Sequence, residues 1–300
     1  MVFVLFGVTL ITFSLIHFIP GDPAFIILGD RATEQKAAEL RQQLGLNKPL
    51  PLQYWDFISG IPRGNFGISL LYRQPVNSVV FRRMPISFFV AAYAMVLTAI
   101  ITVPVAVWAA THRNKLSDHL IRAGFLFALT TPSFWLGILL ILLFSLRLHL
   151  FPVAGYGLTF PQHLHYLFLP ALTLALQLSA VLIRNLRSQI INTLDSDYIR
   201  TARAKGLTNR TVLTAHVLRN ALVSTVSLFG LQFGALVGGT VVIETVFAIP
   251  GMGQLLFTSI TARDYPVVQA ITVITAFLVI VVTLIVDLSY SFLDPRVSYE

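Results

Sequence analysis

The chain has 300 residues, of which 56% are apolar and only 11% charged, and its mean hydropathy is +0.78. Such a chain carries more apolar surface than one soluble core can bury, so the composition predicts lipid as its solvent. The absence of cysteine excludes disulfides, thiolate nucleophiles and cysteine-ligated metals. A net charge of +8 would suggest nucleic acid in a soluble protein, but these cations lie in loops between apolar runs, so we expect no nucleic acid.

Long apolar intervals predict an all-α membrane protein with six transmembrane helices. A hydrocarbon core of about 30 Å takes roughly 20 helical residues to cross. The intervals that are long enough are 1–20, 85–111, 123–146, 166–183, 221–249 (with one interior acid) and 267–286. The first lacks a basic start and a small-residue cleavage site, which favours a retained span over a signal peptide. The expected organisation is a first span (1–20), an extracytoplasmic cap (21–84), a five-span core (85–293) and a cytoplasmic tail (294–300).

The cap should be a small helical insertion. An amphipathic pattern over 37–44 ends at Gly45, and a second pattern over 52–58 carries Trp55 and ends at Gly60. With both termini in the cytoplasm, the short outer loops hold few cations, as the positive-inside rule requires. A long segment such as the cap translocates largely regardless of its charge.

A basic segment, 184–222, lies between the fourth and fifth spans and holds seven Lys/Arg and two Asp. Asp197 suits the positive end of a short helix that runs through Lys205, and Gly206 can end that helix. Thr208 or Asn209 can then cap a second helix that continues into the fifth span. The pattern favours docking into a groove of a soluble partner, and the alternative is a basic helix resting on anionic lipid.

Polar and small residues inside the predicted spans are a second candidate site. Glu244 lies late in the fifth span, where a charge should face protein or water, so it either serves a pathway or is hydrated near the outer interface. Gly230, Gly234 and Gly238 recur every four residues and form a smooth helix face. We expect this face to pack against another helix rather than to contact substrate directly, and a subunit interface that lines a pathway is one form that this packing can take.

Signals for catalysis and metal binding are poor. None of the four lysines follows a glycine, so the chain carries no phosphate-binding G-K-[ST] loop, and any ATP hydrolysis would belong to a partner. His163 and His165 alternate like a metal pair but have no third ligand nearby, so we expect an outer-interface role and no metal. A self-contained secondary transporter or channel, and a membrane-embedded enzyme, remain the alternatives to a non-catalytic subunit.

The basic segment resembles the cytoplasmic EAA-type loop of bacterial ABC importer permeases, in the form used by the dipeptide, oligopeptide and nickel group. Ala202, Gly206 and Leu218 match the loop pattern. The positions of the general Glu, first Ala, Ile and Pro are occupied instead by Arg200, Thr201, His216 and Arg219. Coupling through a salt bridge of the general Glu is therefore not expected here.

Further segments resemble this family in the same order along the whole chain. They are 19–23 (IPGDP), 44–49 (LGLNKP), 65–69 (NFGIS), 151–155 (FPVAG), 244–253 (ETVFAIPGMG), 263–266 (RDYP) and 294–296 (DPR). Each motif alone is weak, and the set together with six predicted spans is specific.

The resemblance implies a type I ABC importer permease in a bacterial inner membrane. It implies a heterodimer with a second permease, two cytoplasmic ATPases that bind ATP and magnesium, and an extracytoplasmic binding protein, with no cofactor in this chain. The expected ATPase-coupling residues are Asp197, Tyr198, Arg200, Thr201, Ala202, Arg203, Lys205 and Gly206. Expected pathway or subunit-interface residues are Gly230, Gly234, Gly238 and Glu244. The residues expected to receive the binding protein are Trp55, Asn65, Phe66 and Gly67.

Overall fold

A computed structural model describes residues 2–18, 23–28, 33–43 and 45–293. Over these residues the protein is nearly all helical, as predicted, with a lone antiparallel bridge between Ile68 and Pro75. The helices are α1 (Val2–Phe18), α2 (Pro23–Leu28), α3 (Glu34–Gln43), α4 (Leu50–Gly60), α5 (Val76–Thr111), α6 (Leu116–Thr130), α7 (Ser133–Leu140), α8 (Phe160–Leu194), α9 (Asp197–Ala204), α10 (Asn209–Thr211), α11 (Arg219–Val246), α12 (Met252–Thr261) and α13 (Tyr265–Leu293). Wider π-type turns extend α7 over Ile141–Arg147 and join α10 to α11 over Val212–Leu218.

The long helices extend beyond the apolar intervals that predicted them. α5 begins at Val76 and runs through Arg82 and Arg83, because a helix can continue past charged residues that end an apolar run. α8 begins after Thr159, whose side chain forms a reciprocal capping box with Gln162. Among the described residues, three helices are long and apolar enough to cross a membrane, or four with one bent pair. The count of six spans stays a prediction.

The expected span over 123–146 is not one continuous helix, because this segment is two helices that meet at an angle of 115°, and whether the bent pair crosses the membrane as one span stays a prediction. Thr131 is extended (ψ 131°) between α6 and α7, as steric contact with a following proline favours. The break leaves the Thr131 carbonyl without a partner within its own helix, and the Gln177 side-chain amide of α8 donates to it at 2.8 Å.

The chain divides into two compact units, one of residues 1–85 with 254–280 and the other of residues 86–253 with 281–300. In the first unit α4 packs against α1, where the Tyr54 hydroxyl lies 3.0 Å from the Thr9 hydroxyl. The ring of Tyr54 also contacts the rings of Phe6 and Phe13.

The second unit contains two apolar clusters along α5 and α8. The Phe247 cluster joins the early half of each helix to the end of α11, and its buried members include Val90, Ala94, Leu167, Leu174, Ile243 and Phe247. The Ile199 cluster joins their later halves to the basic segment, and its buried members include Ala106, Ala110, Ile183, Leu186, Ile190, Ile199, Ala202, Val212 and Val217. The end of α11 and the basic segment, which are the two candidate sites, therefore pack against different parts of α5 and α8.

Candidate coupling and packing sites

The predicted short helix of the basic segment is confirmed as α9. Asp197 lies in its first turn, where a carboxylate complements the partial positive charge of the helix start. Gly206 ends the helix with φ +84°, and the backbone amide of Leu207 donates back to the Ala202 carbonyl at 3.3 Å. An L side chain rarely adopts this conformation, so glycine suits the position.

α9 has one face inside the protein and one face outside. Ile199 and Ala202 are buried in the Ile199 cluster. The expected coupling residues on the outer face are all exposed, and they are Asp197, Tyr198, Arg200, Thr201, Arg203 and Lys205. Ala202 was expected among the docking residues, and the structure places it where it anchors α9 to its own chain.

A capped turn and one side-chain contact connect α9 to the fifth predicted span. Thr208 is the N-cap of α10, and its hydroxyl oxygen accepts from the Thr211 backbone amide at 3.3 Å. Asn220, in the first turn of α11, donates from its side-chain amide to the Tyr198 hydroxyl at 3.4 Å. α9 is therefore joined to the start of α11 through the Tyr198 side chain as well as through the backbone.

A buried ion pair holds the 112–118 turn against α8, and the sequence did not predict it. Asp118 is fully buried and accepts two hydrogen bonds from Arg187, at 2.8 Å from Nε and 2.6 Å from Nη2. The backbone amide of Asn114 also donates to this carboxylate at 3.1 Å, and Arg122 lies 3.6 Å away. The signal in the sequence was an acid four residues before Arg122 at the start of an otherwise apolar helix.

Glu244 is fully buried and accepts hydrogen bonds from the loop that follows α11. Its Oε2 accepts from the Gly253 backbone amide at 2.7 Å, and its carbonyl accepts from the Ile249 amide at 2.8 Å. The interpretation of a hydrated side chain at the outer interface is contradicted by this burial. A pathway role stays a prediction, and one contact of the Glu244 carboxylate is with the backbone of this loop.

Because Gly251 and Gly253 have no side chain, the loop backbone can pack closely against neighbouring groups. A Cβ on Gly251 would meet the Glu244 carboxylate and the Ser87 hydroxyl, and one on Gly253 would meet the Val241 backbone. The Ser87 hydroxyl also accepts from the Met252 amide at 2.7 Å. The 244–253 segment, which resembles a family motif, therefore folds as a turn around the buried Glu244 carboxylate.

The glycine face of α11 is described only in part. A Cβ on Gly230 would lie 2.7 Å from both methyl groups of Val286, so this glycine allows α11 to approach α13. The surroundings of Gly234 and Gly238 lie outside the described part of the structure, and the subunit interface predicted there stays a prediction.

The expected docking residues of the cap form a tight turn in the first unit. The Asn65 side chain accepts from the Gly67 amide at 3.2 Å, and Gly67 has φ +83°. Phe66 is half-buried, and Trp55 on α4 is 66% exposed. The role of these residues in receiving the binding protein stays a prediction.

A third buried carboxylate, Asp264, was not predicted from the sequence and fixes the residues that follow this turn. Asp264 is fully buried and accepts from the Ser69 hydroxyl at 2.5 Å and from the backbone amides of Leu70 and Leu71 at 3.1 Å each. The motifs at 65–69 and 263–266, which are nearly 200 residues apart in the chain, therefore meet in one unit.

His163 and His165 are packed against aromatic rings. The His163 ring stacks on Tyr156 at 3.9 Å between centroids, and the His165 ring lies 5.2 Å from that of Phe151. Within the described ranges, no group of three or more His, Asp or Glu side chains could hold a metal ion.

Comparison with known proteins identifies the family. Residues 102–299 match the model of the binding-protein-dependent transport system inner membrane component, and residues 1–91 match the model of its N-terminal region. The chain belongs to this family of transport permeases. It is therefore an integral, multi-pass membrane component of a transport system.

Curated relatives match along almost the whole chain. A putative peptide transport system permease protein of Brucella abortus is 40% identical over 296 residues, which cover 98% of this chain and 94% of the relative. The glutathione transport system permease protein GsiC of Escherichia coli K12 is 39% identical, with coverage of 99% and 95%. The probable D,D-dipeptide transport system permease protein DdpB of the same strain is 37% identical, also with coverage of 99% and 95%.

Solved structures share the fold of this permease. An inward-facing structure of the MetNI methionine ABC transporter matches with a TM-score of 0.60 and 16% identity, over 72% of this chain and 96% of that chain. An amino acid ABC transporter crystallised with histidines matches with a TM-score of 0.56 and 13% identity, over 71% and 93%. The predicted ABC importer permease fold is confirmed.

Proposed function

We propose that this chain is the translocation subunit of an ATP-driven importer for short peptides or similar small solutes. Membership in the binding-protein-dependent family supports import. The names of the relatives support the solute class, because a peptide, a D,D-dipeptide and glutathione are all small amide-linked molecules. The choice among such solutes lies mainly in the separate binding protein.

The proposed assembly contains a second, homologous permease, two cytoplasmic ATPases and an extracytoplasmic binding protein. ATP and magnesium bind to the ATPases, and this chain is non-catalytic and needs no cofactor. It lies in the bacterial inner membrane with both termini in the cytoplasm. The cation-rich 184–222 segment supports this orientation, because inner loops of membrane proteins are enriched in Lys and Arg.

The proposal is supported mainly by the two different faces of α9. Its apolar face is fixed in the Ile199 cluster, and its exposed face presents Arg200, Arg203 and Lys205. A helix that is anchored on one side and cationic on the other fits a groove of a soluble ATPase. Because Tyr198 contacts Asn220 of α11, movement of the groove would reach the proposed pathway helix.

Charge reversal on the exposed face tests the coupling role. We expect Arg203→Glu with Lys205→Glu to abolish ATP-dependent uptake while substrate capture by the binding protein is retained. The measurements are ATP hydrolysis and solute uptake by the complete complex in proteoliposomes.

Lys115→Glu is the matched control, because Lys115 is also exposed but flanks α6 and not α9. Full coupling of hydrolysis to uptake in the α9 variant would refute the docking role. Loss of uptake in the Lys115 variant to the same degree would show that inner-surface charge in general, and not α9, was responsible.

A further inference from the structure

Two contacts fix how α6 lies along α8. Near the start of α6, the Asp118 carboxylate accepts from the Arg187 side chain. Just after the end of α6, the Thr131 carbonyl accepts from the Gln177 side chain. Residue numbers rise along α6 while those of the partners on α8 fall, so the two helices run antiparallel.

Arg122 and Arg184 stand at the same level on these two helices. Arg122 lies four residues beyond Asp118, which is about 6 Å along α6. Arg184 lies three residues before Arg187, which is about 4.5 Å along α8. Because the helices are antiparallel, both steps lead in the same direction from the ion pair. The two guanidinium groups can therefore reach one ligand between the helices.

Both arginines lie on the side of the α6–α8 contact that is opposite to the Ile199 cluster. At 3.6 residues per turn, positions three and four residues from a reference residue fall on opposite sides of it. Ile121 and Arg122 are therefore on opposite sides of the acid of the ion pair. Ile183 and Arg184 are likewise on opposite sides of its arginine. Ile121 and Ile183 pack into the Ile199 cluster, whereas both flanking arginines are exposed.

The positive charge of this groove is only partly compensated. The Asp118 carboxylate is bonded twice by Arg187 and lies 3.6 Å from Arg122. Arg122 also donates to the neutral His119 ring at 2.7 Å, which holds its guanidinium in place. Among the described residues, no acid forms an ion pair with Arg184. Three arginines therefore share one carboxylate, and the excess charge suits an anion.

The depth of the groove is set by α8, which is long and apolar enough to cross a membrane. Arg184 is the first charged residue of α8, so it marks the polar edge of the apolar stretch. Gln177 lies two turns deeper and bonds to Thr131 at the end of α6. The later half of α6 therefore lies beside the apolar stretch of a membrane-spanning helix.

An exposed apolar wall leads from Arg122 towards the membrane interior. Leu126 and Leu129 lie four and seven residues beyond Arg122, so they continue the same stripe of α6. Leu126 is 58% exposed and Leu129 is 39% exposed. The groove thus places cations at the polar edge of the membrane and leucines deeper. A phospholipid presents its anionic headgroup and its acyl chains in the same order.

We propose that this groove binds an anionic phospholipid, with the phosphate between Arg122 and Arg184 and an acyl chain along Leu126 and Leu129. The leucine wall favours a lipid over a free phosphate ion, which has no apolar part to bury. The proposal rests on membership in a membrane permease family and not on the proposed solute or on ATP coupling.

Fluorescence quenching by labelled lipids tests the site, because the chain contains no cysteine and accepts a single reporter. Leu126→Cys carries a bimane fluorophore in the complete complex in phosphatidylcholine nanodiscs, with accessible cysteines of the partner subunits replaced. Equal small amounts of phosphatidylglycerol or phosphatidylcholine with a doxyl quencher at the same acyl carbon are added. The ratio of the two quenching efficiencies then reports headgroup preference and not depth. Phe277→Cys is the reference, because it is exposed on α13, which carries no Lys or Arg.

We expect the phosphatidylglycerol-to-phosphatidylcholine ratio to be several-fold higher at Leu126 than at Phe277. Each cation near an anionic headgroup contributes about a fivefold preference. Arg122→Gln with Arg184→Gln should lower the ratio at Leu126 to that at Phe277. If this double variant does not assemble, Arg184→Gln alone should lower the ratio about fivefold.

Arg210→Gln with Arg219→Gln is the matched control, because it removes the same charge from exposed positions on neither α6 nor α8. It should leave the ratio at Leu126 high. Equal ratios at Leu126 and Phe277 in the unaltered groove would overturn the proposal, as would an equal fall in both double variants. Weak quenching of the Leu126 reporter by both lipids would overturn it in favour of a protein neighbour.

Discussion

Asp118 and Glu244 are both fully buried carboxylates of the second unit, yet they are held in different ways. Asp118 is paired with the side chain of Arg187, which lies 69 residues away on another helix. Glu244 accepts from the backbone amide of Gly253, nine residues further along the same segment. The first carboxylate joins two helices, and the second folds one loop.

The kind of partner decides how the contacts of each carboxylate can be disrupted by mutation. A side-chain partner can be removed by one substitution, which leaves a buried charge without its counter-ion. A backbone amide cannot be removed in this way, so this hydrogen bond is tested through Glu244 itself. The Asp118 carboxylate should therefore be the more sensitive to substitution of its partner.

The largest expected effect is that of Arg187→Leu. Removing one partner of a buried ion pair typically costs about 3–5 kcal/mol, because the remaining charge is left uncompensated. We expect a marked fall in the thermal midpoint of the purified permease, measured by the loss of its monodisperse gel-filtration peak after heating.

Arg184→Leu provides the matched control, since Arg184 is an exposed arginine one turn earlier on α8. It should leave the midpoint nearly unchanged. Equal midpoints for the two leucine variants would show that the Arg187 pair contributes no more than a surface charge, and the contrast between the two carboxylates would fail.

A smaller effect is expected for Glu244→Ala. This change leaves the buried Gly253 amide without its acceptor, and such a loss costs about 1–3 kcal/mol. Glu244→Gln keeps an acceptor oxygen of similar size and should recover most of the thermal midpoint. If the glutamine variant were as unstable as the alanine variant, negative charge and not the hydrogen bond would hold the loop.

The sequence predicted α9 well because the signals that bound it are local. Asp197 at its start, Gly206 at its end and the Thr208 cap all act within a few residues, and the structure confirms each. The break between α6 and α7 also had a local signal, Pro132, but an unbroken apolar run concealed it.

The buried carboxylates could not be found in this way. Asp118 and Arg187, like Ser69 and Asp264, meet only after distant segments have packed together. The distribution of charges along the sequence predicts membrane topology, but it carries no information on which cation faces which acid. Glu244 stands out in the sequence as an intramembrane acid, but one of its partners is the Gly253 backbone amide, and such a partner has no sequence signature.

The smallest expected effect is that of Arg122→Gln, which asks whether Asp118 needs a second cation. Arg122 is 48% exposed and lies 3.6 Å from Asp118, whereas Arg187 is 17% exposed and bonds the same carboxylate twice. Partly solvated pairs contribute about 0–1 kcal/mol, so the thermal midpoint should shift only slightly. In an Asp118→Asn background the Arg122 effect should vanish while assembly is still measurable. A shift as large as that of Arg187→Leu would mean that the two arginines share the buried charge, and the joint would then be a three-residue network rather than a pair.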